Sequence, residues 1–315
     1  MSLDFESNIR SLEKKLQELR EESKKGEIDV ENEIVKMEQK IDKLLANTYK
    51  KLTPWQKVAV ARHAERPKFL DYLSLFDDFI ELSGDRIFGN DTAIIGGLAK
   101  YNGLPCIVIG QEKGNDTDSR IKHNFGMSMP EGYRKAYRLF ELANKFNLPV
   151  IAFIDTSGAY PGVASEERGQ AEAIAKCIEK SFQIKVPFIS IVIGEGGSGG
   201  AIALASSDYV LMLEHSVYSV ISPEGCASIL WKDDSKAEIA ADVQKLTASD
   251  LMEFGIIDYV IEEPVGGAHR NREAALENVN RAVSKFLDKS MAIDDNERTN
   301  IRRNKFMNIG NLYVN

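Results

Sequence analysis

The sequence predicts an α/β fold built on a largely parallel sheet, with a helical hairpin placed before it. Three observations carry that expectation. From Pro130 onward, short β-branched apolar runs alternate with amphipathic segments of helical period, the pattern of parallel strands joined by crossover helices. Twice a strand runs into a glycine-containing loop and then a helix, at 155–162 and 194–200. Residues 1–52 instead repeat Ile9, Leu12, Leu16, Leu19 and then Ile34, Met37, Ile41, Leu44 among charged residues, the spacing of two helices paired as a hairpin.

Composition narrows the function classes. The 315 residues are 43% hydrophobic and 28% charged, with a formal net charge of −8. These are globular proportions, and the negative balance argues against nucleic acid or an anionic membrane as partner. No apolar run reaches membrane-spanning length, and the opening MSLDFESNIR is too polar for a signal peptide, so a cytoplasmic location is expected. Cys106, Cys177 and Cys226 lie far apart without metal-ligand spacing; neither a metal site nor a disulfide is expected.

In chain order, KKGEID with Gly26 separates the two hairpin helices. The pair either oligomerises or docks on its own domain. Thr53-Pro54 is a helix start. Helical spacing continues through Phe69, Tyr72, Leu73, Phe76 and Ile80 and stops near Gly84. Residues 93–100 and 105–110 read as an antiparallel pair around the turn Asn102-Gly103. Pro130 opens a helix. A buried strand at 149–155, a loop, a helix at 166–182 and a strand at 186–193 follow, leading into the glycine loop and a short helix. Strands at 208–213 and 217–221 precede a helix opened by Ser222-Pro223. Thr247 to Asp250 resembles a capping box, closed by Gly255 before a strand at 256–261. A last helix spans 272–287. The expected division is a hairpin at 1–52, one large domain at 53–290, and a basic, asparagine-rich tail at 291–315.

The glycine loop, within ISIVIGEGGSGGAIALA at 189–205, matches three motifs. Gly194, Gly196 and Gly199 have dinucleotide-fingerprint spacing, with Glu214 placed for a ribose, but the helix that follows is too short for the crossover. Gly196, Ser198 and Gly200 imitate a nucleophile elbow, and Ser198, Asp258 and His269 even follow hydrolase order. His269, however, lies in the polar stretch GGAHRN with no sign of burial. The third reading uses main-chain N–H groups of Gly199 and Gly200 at a helix start as an oxyanion hole. With no Walker lysine, a phosphate cradle is disfavoured. Glycines needed only for packing are the bland alternative.

Longer blocks then carry a resemblance. Arg62-His63, Arg66-Pro67, Gly84-Asp85-Arg86, NFGM at 124–127, PEGYRKA at 130–136, IDTSGAYPG at 154–162, EERGQ at 166–170, GEGGSGG at 194–200, YSVISPEGCASILWK at 218–232 and GGAHRN at 266–271 stand in one order. In these the chain closely resembles the alpha subunits of bacterial acetyl-CoA carboxylase carboxyltransferase. One departure is Ser157, where the family commonly has proline.

The resemblance implies a crotonase-type (ClpP/crotonase) superhelix of stacked ββα units. It implies transfer of a carboxyl group from carboxybiotin, held on a biotin carboxyl carrier protein, to acetyl-CoA, giving malonyl-CoA for fatty acid biosynthesis. Two alpha chains would work with two beta chains, beside a biotin carboxylase. Beta would bring the thioester oxyanion hole and the zinc, leaving no metal on this chain. Gly199 and Gly200 would receive the biotin ureido oxygen, and Gly196 and Gly197 would line the substrate site; Gly158 and Ala159 either wall the biotin channel or simply form a turn. Biotin itself can take the methyl proton, so no protein base is needed. ATP and nucleotide binding come with the family's whole complex.

Two stretches remain. Lys113, Arg120, Lys122, His123, Arg134, Lys135 and Arg138 form a basic stretch in an acidic chain. It suits coenzyme A phosphates or an acidic partner face, but a solvated helix and loop explain it as well. The helix ending at Trp231 suits a subunit interface.

Overall fold

A computed structural model describes residues 3–24 and 31–311. The predicted break at Gly26 lies outside them. Helices α1 (Ser7–Lys24) and α2 (Glu31–Tyr49) pair through Ile9, Leu16, Ile41 and Leu45, and the pair packs on Ala59 and Val60 of α3 (Pro54–Ala61). The hairpin therefore covers its own chain. Thr53 and Gln56 cap α3 reciprocally, with Pro54 at the first position, as the local sequence requires.

The helix expected from Phe69 to Gly84 is mostly something else. Helix α4 (Phe69–Tyr72) passes through a 3-10 turn (Leu73–Leu75) into strand β1 (Asp77–Glu81). Phe69, Tyr72 and Phe76 still reach one core, so their spacing is satisfied without a continuous helix. Edge pairing claims the rest: β1 lies antiparallel to β2 (Ile94–Tyr101), so close that a Cβ on Gly97 would sit 2.0 Å from the Ile80 carbonyl oxygen. Strand β3 (Leu104–Gln111) returns along β2 through Asn102 and Gly103, with φ of 49° and 79°, a turn that accepts left-handed residues.

The chain continues through α5 (Thr117–Lys122), α6 (Pro130–Phe146), β4 (Val150–Thr156), α7 (Val163–Glu167), α8 (Gln170–Gln183), β5 (Phe188–Gly197), α9 (Ser198–Ala205), β6 (Tyr209–Leu213) and β7 (Val217–Ser219). It closes with α10 (Pro223–Trp231), α11 (Ala237–Gln244), α12 (Ala248–Glu253), β8 (Tyr259–Ile261), α13 (Arg272–Met291) and α14 (Asp295–Asn308). The single helix expected at 166–182 is split in two. Gly169 turns left-handed at φ 79°, and Arg168 folds back to Glu131, Nε to Oε1 at 2.7 Å.

The strand order is β1-β2-β3-β4-β5-β6-β8, with β7 paired to the far end of β5. From β3 to β8 the pairs are parallel. Strands β4 and β5 are buried throughout, which explains their unbroken apolar letters. One face packs on α6, α8 and α9 through Leu139, Phe140, Ala173 and Leu204. The other carries Phe69, Tyr72 and, from α13, Val279, Val283 and Phe286.

The stretch read as a tail contains α14, which docks on α8 and on the loop before β6. Arg302 is fully buried and gives Nε to Asp208 Oδ1 at 2.7 Å and Nη1 to the Ile184 carbonyl at 2.9 Å.

Candidate functional site at the carboxyl ends of the central strands

Parallel registry brings β4 and β5 to the same edge, with Thr156 opposite Gly196. The strand-end loop 157–162 and the start of α9 are thereby neighbours, in the crevice where open α/β sheets bind ligands. The glycines of this edge divide by what surrounds them. A Cβ would lie 2.4 Å from Asp155 Oδ1 at Gly194, 2.7 Å from the Tyr218 ring at Gly196, and 2.3 Å from the Ser157 carbonyl at Gly197. At Gly200 it would meet the Tyr133 hydroxyl at 2.8 Å and Ala159 N at 2.9 Å. These four let the two loops close on each other. Gly199 is different: its nearest neighbour would be Ile174 Cγ2 at 3.4 Å, and Gly158, at φ 146°, has nothing within 4 Å.

Helix α9 has Gly197 as N-cap and no side-chain cap. Its first-turn N–H groups lack intrahelical acceptors and stand at the positive end of the helix dipole. Gln111, completely buried, fixes their position. Its Nε2 donates to the Gly200 carbonyl at 2.8 Å, and its Oε1 accepts from Asp155 N at 3.2 Å. One side chain from β3 thus ties both loops together.

Beneath the loops lies an ionic network from separate segments. Lys113 Nζ meets Asp155 Oδ1 at 2.7 Å and Glu195 Oε2 at 2.6 Å. Arg62 Nε meets the other Glu195 oxygen at 2.6 Å and its Nη1 reaches Glu224 at 2.5 Å. Burial alone would push Glu195 up; Lys113 and Arg62 overcome it and hold the carboxyl at about 2. Lys113, desolvated yet flanked by Asp155 and Glu195, is held above the ordinary lysine value. Glu195 and Lys113 are therefore both charged at neutral pH, and the network ties the ends of β4 and β5 to Arg62.

The side chains of the hydrolase reading are dispersed. Ser198 is exposed at φ 52°. Asp258 accepts from Val210 N at 2.7 Å and from Lys305 at 2.9 Å. His269, expected in an open polar loop, is buried under the hairpin, its ring centroid 4.1 Å from that of His63. Glu214, the ribose candidate, accepts from Glu263 N at 3.2 Å beyond β6, and α9 is as short as expected.

The basic stretch is divided: Lys122 is exposed and Arg120 half-buried, while others turn inward. Lys135 is fully buried and donates to the Asp91 and Ile94 carbonyls at 2.7 Å each, Arg138 donates to the Leu82 carbonyl at 2.7 Å, and His123 is buried with Nδ1 2.6 Å from the Thr92 oxygen. Gln111 and Glu195 went unnoticed as site residues. The available signal was the same in both: an apolar run, one glycine (Gly110 or Gly194), then a polar letter.

Among the described residues, no His, Cys, Asp and Glu group is arranged to hold a metal, and no helix is long and apolar enough to cross a membrane.

The fold defines the class. Solved structures with the same architecture include transcarboxylase 12S with methylmalonyl-coenzyme A bound (TM-score 0.56, 19% identity, 70% of this chain and 42% of that one). The beta subunit of Pseudomonas aeruginosa geranyl-CoA carboxylase is another (0.57, 17%, 78% and 46%), and a Pseudomonas malonate decarboxylase hetero-tetramer in complex with coenzyme A a third (0.60, 13%, 78% and 97%). This is the crotonase-type fold of carboxyltransferases.

Sequence then narrows the class to a family. Residues 2–310 match the family described as acetyl co-enzyme A carboxylase carboxyltransferase-like. The chain is 56% identical over 309 residues to the acetyl-coenzyme A carboxylase carboxyl transferase subunit alpha of Rhodospirillum centenum and 55% identical to that of Zymomonas mobilis, covering 98% of each chain in both comparisons. The chain belongs to the acetyl-CoA carboxylase carboxyltransferase alpha-subunit family, whose members are subunits of a biotin-dependent carboxyl transferase. ATP binding, carried by the resemblance, finds no support on this chain.

Proposed function

We propose that this chain, joined to a beta subunit as α2β2, transfers the carboxyl group of carboxybiotin to acetyl-CoA, and that the Gly199 and Gly200 N–H groups receive the biotin ureido oxygen. What supports the reading is the contrast among the glycines: the loop is packed shut at Gly194, Gly196, Gly197 and Gly200 and open at Gly199 and Gly158. The two uncrowded glycines lie at a bare helix start and on the short loop beside it, which leaves the α9 amides approachable. Carboxybiotin, charged by a biotin carboxylase and delivered on its carrier protein, supplies the carboxyl group and gains negative charge at its ureido oxygen as that group departs.

The chain's own residues answer that charge with donors fixed in advance. Loss of one such donor costs about 3 kcal/mol, a hundredfold or more in rate. Gly158 and Ala159 form the facing wall. Gly196 and Gly197 contribute by letting β5 close against Tyr218 and Ser157. The beta subunit, bringing acetyl-CoA, has an apolar surface to cover at Val220, Ile229 and Leu230, which are 76%, 71% and 60% exposed.

The test is malonyl-CoA-dependent carboxylation of biocytin by this chain alone, by the beta chain alone, and by both. Activity only in the mixture is expected; activity of this chain alone overturns the shared site. Gly199→Val keeps the main-chain N–H but sets a branched side chain at the least crowded glycine of the loop, so it should lower transfer strongly by obstructing the approach to the amides, with the unfolding midpoint kept. Near-normal transfer would remove the amides from the mechanism. Gly200→Val cannot serve, because its Cβ would press on Tyr133 and Ala159 N.

A further inference from the structure

Beside the glycine loop lies a second cavity, of about 200 Å³, lined by Arg62, Lys68, Lys113, Arg120, Ser157 and Glu195 among others. Arg62 and Lys113 are satisfied by the carboxylates already described. Lys68 and Arg120 are met by main-chain carbonyls instead. Lys68 is buried, and its Nζ donates to the Arg66 carbonyl at 2.7 Å and to those of His63 and Ala64 at 3.4 Å. Arg120 Nε reaches the Gly114 carbonyl at 3.4 Å. Among the described residues, neither cation has a carboxylate in salt-bridge contact.

The rim is built rather than incidental. Asn124, Phe125 and Gly126 take φ of 46°, 55° and 79° in succession, a run that two non-glycine residues adopt only when their surroundings hold them there. Gly126 lets this turn press on the cavity wall, since a Cβ there would lie 2.7 Å from Lys113 Cγ and 2.8 Å from the Asp155 carbonyl. Phe125, 51% exposed, stands at the mouth. The position is again the carboxyl end of the central parallel strands.

We infer that this cavity is an anion subsite, in which Lys68, Arg120 and the Ser157 hydroxyl take one compact oxyanion, a carboxylate or a phosphate group. Two cations without carboxylate partners suit one or two negative charges, with Arg120 offering a planar fork and Lys68 a point charge. A cavity of about 200 Å³ has room for a terminal anionic group. Burial pushes Lys68 down to about 8, which an adjacent anion would reverse. The inference goes beyond the reading of the glycine loop and does not depend on it.

The test titrates the purified full-length chain with sodium malonate or sodium phosphate against sodium chloride at matched ionic strength, by calorimetry and by thermal unfolding. Saturable binding and a raised midpoint are expected with at least one oxyanion. Tighter malonate assigns a carboxylate; tighter phosphate assigns a phosphate. Arg120→Gln should weaken the favoured anion at least fivefold, and Arg120→Lys should recover part of the loss. Among the described residues the Arg120 side chain makes one long hydrogen bond, so its variants should fold; Lys68→Gln repeats the measurement from the other side. Failure of both anions to bind better than chloride overturns the inference, as does Arg120→Gln binding with unchanged affinity. Gly199→Val should bind the anion normally, so lost transfer with retained anion binding concerns the glycine loop alone.

Discussion

Two ionic networks join distant parts of the chain, and they treat their charges in opposite ways. At the strand ends, Lys113 and Arg62 hold Asp155, Glu195 and Glu224 beside an open cavity. In the seam under the hairpin, Glu6 accepts from Arg270 Nη2 at 2.7 Å and from the Tyr49 hydroxyl at 2.5 Å, and Arg270 also binds Glu13 at 2.5 Å. There the same charges are roofed by the rings of Tyr49, His63, His215 and His269. Between the two stands Arg66, fully buried with Glu263 at 2.6 Å and donating Nε to the Ile193 carbonyl at 2.7 Å. The strand-end network keeps charge available where loops meet solvent. The seam excludes charge from its histidines and serves as an attachment.

The contrast breaks most visibly at Lys113. Lys113→Met leaves Asp155 and Glu195 buried without their shared cation, and removing one partner of a buried pair costs about 3–5 kcal/mol. Denaturant unfolding should show that loss; a change under about 1 kcal/mol would mean the strand-end charges are solvated after all.

In the seam, Tyr49→Phe removes one hydrogen bond to a carboxylate that Arg270 still holds, at a cost of about 1.5–3 kcal/mol. The loss should appear as faster proteolysis of the hairpin, while transfer by the assembled enzyme stays near normal. Equal loss of transfer would show that the seam also positions the site.

The smallest effect is in pH. Burial, then His63, holds His269 down at about 3, and burial likewise lowers His215. Above the ordinary histidine value of 6.5, each is neutral folded and unfolded, so pH costs nothing. Below 6.5 the unfolded chain takes up a proton that the folded chain refuses, so stability falls as pH falls. The slope approaches about 1.4 kcal/mol per pH unit per histidine. At pH 5.5 a loss of about 1 kcal/mol is expected from His269, with His215 adding in the same direction. The strand-end network should be silent there, because Glu195, at about 2, stays ionised until well below the ordinary carboxylate range. A midpoint unchanged between pH 7 and 5.5 would contradict the closed seam.

Legibility in the sequence followed the range of the interactions. Caps at Thr53 and Thr247, the turn at Asn102-Gly103 and the β-branched strands were readable because neighbours within a few residues decide them. The segment after Phe69 was not: its apolar spacing suits a helix, and only an edge strand with Gly97 in the right place makes it β1. His269 read as exposed because the hairpin that buries it begins at the far end of the chain.

The sequence by itself determined the parallel α/β frame, the hairpin and the glycine-rich strand end, since each follows from periodicity and backbone freedom over short distances. It also carried enough long blocks to point to a family. Only the tertiary structure decided which glycines are spacers and which face an opening, because Tyr133, Ala159, Ser157 and Tyr218 set that from other elements. It also decided that Lys135 belongs to the interior and that Lys113 belongs to a half-buried ion pair. A charged letter looks the same in solvent and in a buried pair, and only the partner, brought across the sheet by folding, tells them apart.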